Sequence, residues 1–302
     1  MQKRRTLLGS RQFPRGDLLL LDKLGDGEYG PVYRGEAYGL GIKEKSKSVT
    51  VKMLVAQATE DKKIRFEQDI ALLSTINHLN VVGMLAVCTE DSPECILLDA
   101  GKQGDLLSYV REMKGSSEQW MSISEVAAML KMADEVCLGL AYLASLYHIH
   151  KDVALRNCII GYDGVVKVAS FGLGPSLYPE AYTLVHGKML PLRWMPPEAI
   201  SSGHFTMASD LWAFGVLMWE LFTYGELPFA EKTIDEVITF VLKDFGKLPK
   251  PEGCAEDVYS VMSSCWELEH NSRPSFLVLH EHIFELTSEI DLPVSNTYPE
   301  MT

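Results

Sequence analysis

Apolar positions change their period about a third of the way along the chain. Before that point, "DLLLLDKLG", "PVYRGEA" and "KSVTVKMLV" alternate or cluster apolar residues between turn signals, as strands do. One stretch breaks the pattern. In "DKKIRFEQDIALLSTI", Ile64, Ile70, Leu73 and Ile76 fall close to helical spacing, which predicts a single helix within a strand-rich region. "VVGMLAVCT" and "ECILLDAG" return to short, buried-strand character. After Gly101 the prediction is mainly helical, through "DLLSYVREM", "SEVAAMLKMADEVCLGLAYLASL" and "SDLWAFGVLMWELFTYG" to "FLVLHEHIFELTSEI". The polar "MKGSSEQW" separates two of these helices and reads as a surface loop. Strands followed by helices imply an α+β protein of two lobes. "DLPVSNTYPEMT" has two prolines and no periodic face, so a flexible tail is expected there.

Composition narrows the function classes. With 302 residues, 47% hydrophobic and 23% charged, the chain can bury a sizeable core in one or two domains. A formal net charge of −13 argues against nucleic-acid binding, which needs clustered Lys and Arg. The six cysteines form no C-x-x-C pair, which favours a reduced, intracellular environment over a disulfide framework or zinc site. No apolar run reaches the ~18 residues of a membrane-spanning helix. Lys3-Arg4-Arg5 reads either as the cytosolic flank of a preceding transmembrane helix or as a short solvated tail.

The chemistry lies in motifs spread along this frame. "LGDGEYGPV" fits G-x-G-x-x-G-x-V through Gly25, Gly27, Gly30 and Val32, and glycines there let backbone amides approach phosphate oxygens. Dinucleotide-binding turns share the spacing but open a helix. "PVYRGEA" begins with proline and reads as a strand, which favours a strand–turn–strand phosphate cover. "VTVKM" places Lys52 at the end of an apolar strand, and "FEQD" supplies Asp69 on the following helix. "HIHKDVALRNCII" fits H-x-D-x-x-x-x-N through His150, Asp152 and Asn157, with Lys151 and Arg156 between them. "VKVASFGLG" sets Ser170 before Phe171-Gly172. Further on, "PLRWMPPEAI" carries Pro197-Glu198. "SDLWAFGVLMWE" puts Asp210 at a helix start, where a carboxylate suits unpaired amides. "NSRPSF" offers Arg273 as a bidentate partner for Glu198.

This ordered set resembles a tyrosine kinase domain over roughly residues 17–287. "HKD", the altered "SFG" and "DLWAFGVLMWELFTYGELPF" more narrowly resemble the protein tyrosine kinase seven (off-track) type of receptor pseudokinase. Those are single-span receptors whose cytosolic kinase-like domains are regarded as inactive. The resemblance implies a bilobal protein-kinase-like fold, with a strand-rich N-lobe holding one main helix and a mainly helical C-lobe. It divides the chain into a juxtamembrane-like tail (1–16), an N-lobe (about 17–98), a hinge (99–101), a C-lobe (102–287) and a C-terminal tail (288–302). By the same resemblance Lys52 contacts nucleotide phosphates and pairs with Asp69. Asp152 is the base for the substrate hydroxyl, Asn157 holds one metal ion, and Arg156 marks the tyrosine-directed form. Val32, Thr50, Leu98, Asp99, Gly101 and Ile159 fall at nucleotide-lining positions, with Leu98 as gatekeeper. Met84, Leu73, Phe171 and His150 would form the apolar spine, and Glu198, Asp210 and Arg273 are structural.

Three departures from the pattern converge on the nucleotide and its metal. Ser170 replaces the carboxylate that would bridge metal and phosphates, and a neutral hydroxyl binds Mg²⁺ poorly. Asp69 is one methylene shorter than the expected Glu, so its pair with Lys52 is expected to be strained, water-bridged or absent. Thr50 stands where a small alanine would pack against adenine. The expectation is a receptor pseudokinase domain at the cytosolic side of the plasma membrane, acting as a signalling scaffold or allosteric partner. ATP binding would be weak or absent and Mg²⁺ binding impaired. The alternatives are a weakly active protein tyrosine kinase and a nucleotide sensor without phosphotransfer. Tyr178 and Tyr182 read either as regulatory phosphotyrosines or as ordinary surface tyrosines. Tyr298, in "YPEM", reads as a docking site for a phosphotyrosine-binding domain or as a chance match. The implied partners are signalling proteins, including active kinases and phosphotyrosine-binding domains. Attachment to the membrane would come only through a transmembrane segment upstream of this sequence.

Overall fold

The computed structural model describes residues 11–40, 45–114, 121–169 and 174–290, apart from the side chain of Gln103. The chain divides into two compact units, one formed by residues 1–101 with 169–178 and the other by 102–168 with 179–302.

The first unit is built on a five-stranded antiparallel sheet. Its strands are β1 (Leu18–Asp26), β2 (Pro31–Tyr38), β3 (Ser46–Met53), β4 (Met84–Cys88) and β5 (Cys95–Asp99), in the order β1-β2-β3-β5-β4. Val49 to Met53 are buried without a break, as expected of an inner strand covered on both faces. Leu18, Ala37, Val49, Val51, Cys95 and Leu97 share one core cluster with Phe13. Phe13 arrives there because its amide donates to Val87 O at 2.8 Å, laying the segment before β1 along β4. That pairing covers part of what would otherwise be an open sheet edge.

Between β3 and β4 lies α1 (Glu60–Leu73), capped by the Thr59 hydroxyl and burying Phe66 and Ile70. The helix stops before Ile76, although the apolar spacing ran on to that residue. The Ser74 and Thr75 hydroxyls donate to Ala71 O and Leu72 O, a local alternative to further helix, and Ile76 is buried from the loop instead.

The second unit is mainly helical. It contains β6 (Gly101–Asp105), α2 (Leu106–Met113), α3 (Ile123–Ser145), β7 (Cys158–Gly161), β8 (Val166–Val168), β9 (Thr183–Val185) and β10 (Lys188–Leu190). These are followed by α4 (Pro197–Ser202), α5 (Met207–Phe222), α6 (Ile234–Leu242), α7 (Glu256–Cys265) and α8 (Phe276–Glu289). A reciprocal Ser122–Glu125 capping box starts α3. From Ser209 to Phe222 every residue of α5 is buried, so this helix is enclosed on all sides and forms the unit's centre. The apolar start of "VKVASFGLG" reads as a strand and forms β8, whereas β6, β7 and the β9–β10 hairpin were not predicted, because strands of three to five residues carry no readable period. His186 and Gly187, both at positive φ (47° and 78°), make the tight hairpin turn. Helix α8 runs on to Glu289, past residue 287, and is anchored by buried Phe276, Leu279 and Ile283. Among the described residues no helix is long and apolar enough to cross a membrane.

Candidate functional site

In the strand-rich unit, the glycine-rich turn lies close against the end of β3. Gly27 N donates to Gly30 O at 2.9 Å and Val55 N to Tyr29 O at 3.1 Å. A Cβ on Gly30 would sit 2.2 Å from Met53 O and 2.8 Å from Val55 N, so only glycine allows this approach. Val32 is buried in β2 with Gly25 opposite it in β1 and Lys52 opposite it in β3.

Lys52 Nζ donates to Asp69 Oδ2 at 2.6 Å, with the lysine side chain only 5% exposed. The shorter carboxylate therefore reaches its partner directly, which corrects the expectation of a water-bridged or absent pair. The Tyr29 hydroxyl donates to the same carboxylate oxygen at 3.0 Å, and Lys52 Nζ lies 4.9 Å from the Tyr29 ring centroid. Phe66 meets that ring edge-on at 5.3 Å. Burial pushes the Tyr29 hydroxyl pKa well up and the Asp69 charge adds to the shift, so the hydroxyl stays a donor. Thr50 is buried in β3 opposite Leu98 of β5, which is itself opposite Met84 of β4. Leu73 ends α1 half-buried. Asp99 pairs with Lys47 at 3.3 Å, and Gly101 opens β6.

In the helix-rich unit the loop before β7 is held from below by α5. The Asp210 carboxylate accepts His150 N at 2.7 Å and Lys151 N at 2.9 Å. Sequence reasoning placed Asp210 on its own helix's unpaired amides. Thr206 and Ser209 form that cap instead, leaving Asp210, in the first turn, to bind the loop. Burial raises the Asp210 pKa against the pull of His150 and Lys151. Lys151 is held at φ 70°, the left-handed region that a lysine seldom enters. Beyond it, Asp152 N donates to His150 Nδ1 at 3.3 Å, and Asn157 Nδ2 donates to Asp152 O at 2.8 Å. Ile159 is buried in β7.

Both oxygens of the Asp152 carboxylate are engaged. Arg156 Nη2 donates to Oδ1 at 2.6 Å, and the Tyr182 hydroxyl donates to Oδ2 at 2.5 Å while accepting Arg156 Nε at 2.9 Å. Tyr182 is 8% exposed, which removes the reading of it as an ordinary surface tyrosine; Tyr178 is half-buried. Arg156 lies against the Trp194 and Tyr182 rings at 4.1 and 4.8 Å. Burial works against the Arg156 charge, but Asp152, Tyr182 and Glu220 together hold its pKa above the ordinary value. Glu220 accepts Trp194 Nε1 at 3.0 Å and Leu155 N at 3.2 Å. Full burial raises its pKa to about 7 despite Arg156. Elsewhere in this unit Arg273 grips Glu198 bidentately, Nη1 to Oε1 at 2.6 Å and Nη2 to Oε2 at 3.0 Å. Ser170, Phe171 and Tyr298 lie outside the described residues.

Sequence reasoning missed three members of these arrangements. Tyr29 was signalled only as an aromatic inside a glycine run. Glu220 was signalled as the sole acid along the buried stretch "LWAFGVLMWELF". Trp194 lay in a motif read for its glutamate.

A β-sheet unit with a lysine–carboxylate pair, joined to a helical unit with an H-x-D-x-x-x-x-N loop on a buried helix, defines a protein-kinase fold. The chain belongs to that family: the family model described as "Protein tyrosine and serine/threonine kinase" matches residues 18–283. It is 37% identical to the Homo sapiens "Inactive tyrosine-protein kinase 7" over 276 residues, covering 91% of this chain and 26% of that protein. It is 35% identical to the Gallus gallus "High affinity nerve growth factor receptor" over 268 residues, covering 86% of this chain and 34% of that protein. It is also 36% identical to the Mus musculus "Proto-oncogene tyrosine-protein kinase ROS", covering 87% and 12%. The chain thus spans about a third or less of these curated relatives.

Proposed function

We propose that this kinase domain is a pseudokinase that works as a signalling scaffold or allosteric partner. The observation that carries this reading is the state of Asp152. A base must accept a proton from an incoming hydroxyl, and both oxygens of this carboxylate already hold Tyr182 and Arg156. The donor set for metal is also poor. Asn157 offers a single neutral oxygen, since its amide nitrogen is committed to Asp152 O, and the sequence supplies Ser170 where a carboxylate would stand. These residues do not fit Mg²⁺, a hard ion that prefers charged oxygen ligands. No group of three or more His, Cys, Asp or Glu among the described residues could replace them. The relative named inactive supports the loss of catalysis, and the one named a receptor supports a place on the cytosolic side of a membrane receptor.

Thermal-shift titration with ATP, with and without Mg²⁺, separates this reading from its rivals through ligand-linked stabilisation. The scaffold reading expects no shift. A metal-independent shift would point to a nucleotide sensor, and a Mg²⁺-dependent one to a working kinase.

A further inference from the structure

The glycine-rich turn carries an aromatic side chain, Tyr29, between Glu28 and Gly30. Tyr29 is 1% exposed. Its hydroxyl binds Asp69, its ring lies beside the Lys52 ammonium, its edge meets Phe66, and its carbonyl takes the Val55 amide. We propose that Tyr29 is the positioning residue of the Lys52–Asp69 pair, a latch that holds the glycine-rich turn down and closes Lys52 to anionic ligands such as a nucleoside triphosphate. This rests on reading Lys52 as the residual phosphate contact of the proposed pseudokinase.

Three physical points support the latch. A carboxylate on a short side chain has little freedom to follow a moving lysine, so a second donor on the same Asp69 oxygen fixes its direction. The ring's π face lies within cation–π range of the ammonium, which adds to the Asp69 carboxylate in stabilising that charge. The close approach at Gly30 lets the turn descend far enough to bury the ring. A phosphate bound to Lys52 would need that ring to leave. Leaving would strand the Asp69 contact and break the Val55 N–Tyr29 O bond.

The test uses the full chain and three proteins: wild type, Tyr29→Phe and Tyr29→Ala. Two readouts bear on the latch without depending on catalysis. One is hydrogen exchange at the Val55 and Gly27 amides. The other is labelling of Lys52 by the anionic aldehyde pyridoxal 5′-phosphate, trapped with borohydride and read by peptide mass. Phenylalanine keeps the ring and removes only the hydroxyl, so it guards against an unfolded alanine variant; circular dichroism verifies the fold of each. A hydrogen bond to a charged group is worth enough to shift an opening equilibrium roughly tenfold or more. Tyr29→Phe should therefore raise both exchange and Lys52 labelling by about that factor, with Tyr29→Ala at least as large. Rates within twofold of wild type in the folded Tyr29→Phe protein overturn the latch. The pseudokinase reading fails separately, by phosphotransfer.

Discussion

Replacing Tyr182 with Phe removes one oxygen from the centre of the Asp152 arrangement and nothing else. That oxygen makes two hydrogen bonds, donating to Asp152 Oδ2 and accepting from Arg156 Nε, and both partners are charged. Each such bond contributes about 1.5–3 kcal/mol, and a charged group left unsatisfied adds its desolvation penalty. Tyr182 is only 8% exposed, so water can replace the hydroxyl in part. The expected loss is therefore about 2–4 kcal/mol in the helix-rich unit. All five tryptophans fall within that unit's sequence, so urea unfolding followed by tryptophan fluorescence reads it selectively. The midpoint should fall while the slope stays unchanged, because the same surface is exposed on unfolding. A loss below about 0.5 kcal/mol would refute the claim that this hydroxyl is bound into a buried charged network.

Glu220→Gln should flatten the pH dependence of stability. A carboxyl whose folded pKa of about 7 exceeds its ordinary 4.5 keeps its proton where the unfolded chain has lost it. Its contribution is fully present below pH 4.5, falls as pH rises towards about 7 and levels off above, by roughly 3 kcal/mol in all. Urea midpoints measured from pH 4.5 to 8 check this, and an unchanged slope in the variant would count against it. Arg273→Lys should destabilise by about 3 kcal/mol, because one ammonium cannot replace the bidentate grip on Glu198 together with the bonds to Ala208 O and Glu267 O. Ser170→Asp alone should restore little phosphotransfer, since Asp152 remains engaged by Tyr182 and Arg156; a peptide-phosphorylation assay giving rates of ordinary kinases, ~1–100 s⁻¹, would sink that view.

Much of the frame was legible because its signals are periodic. The long strands announce themselves by runs such as "SVTVKM", and α3 and α5 by apolar stretches too long for a strand. The motif residues were legible because their chemistry requires particular side chains at particular spacings. Contacts between distant segments were not. Nothing in "SLYPEAYTL" says that Tyr182 folds onto Asp152, because that pairing depends on how residues 30 apart meet in space. Asp210 shows the same limit. Its position near a helix start suggested capping, while the folded chain presents two loop amides that bind its carboxylate more directly. The Asp69 pair shows the reverse error, since side-chain length alone says little about how close β3 and α1 approach.

The most direct test is phosphotransfer itself. The chain is incubated with Mg²⁺, ATP and a tyrosine-containing peptide, beside an Asp152→Asn control. The account predicts incorporation in the wild type no higher than in the control. Robust transfer by the wild type that Asp152→Asn abolishes would contradict it.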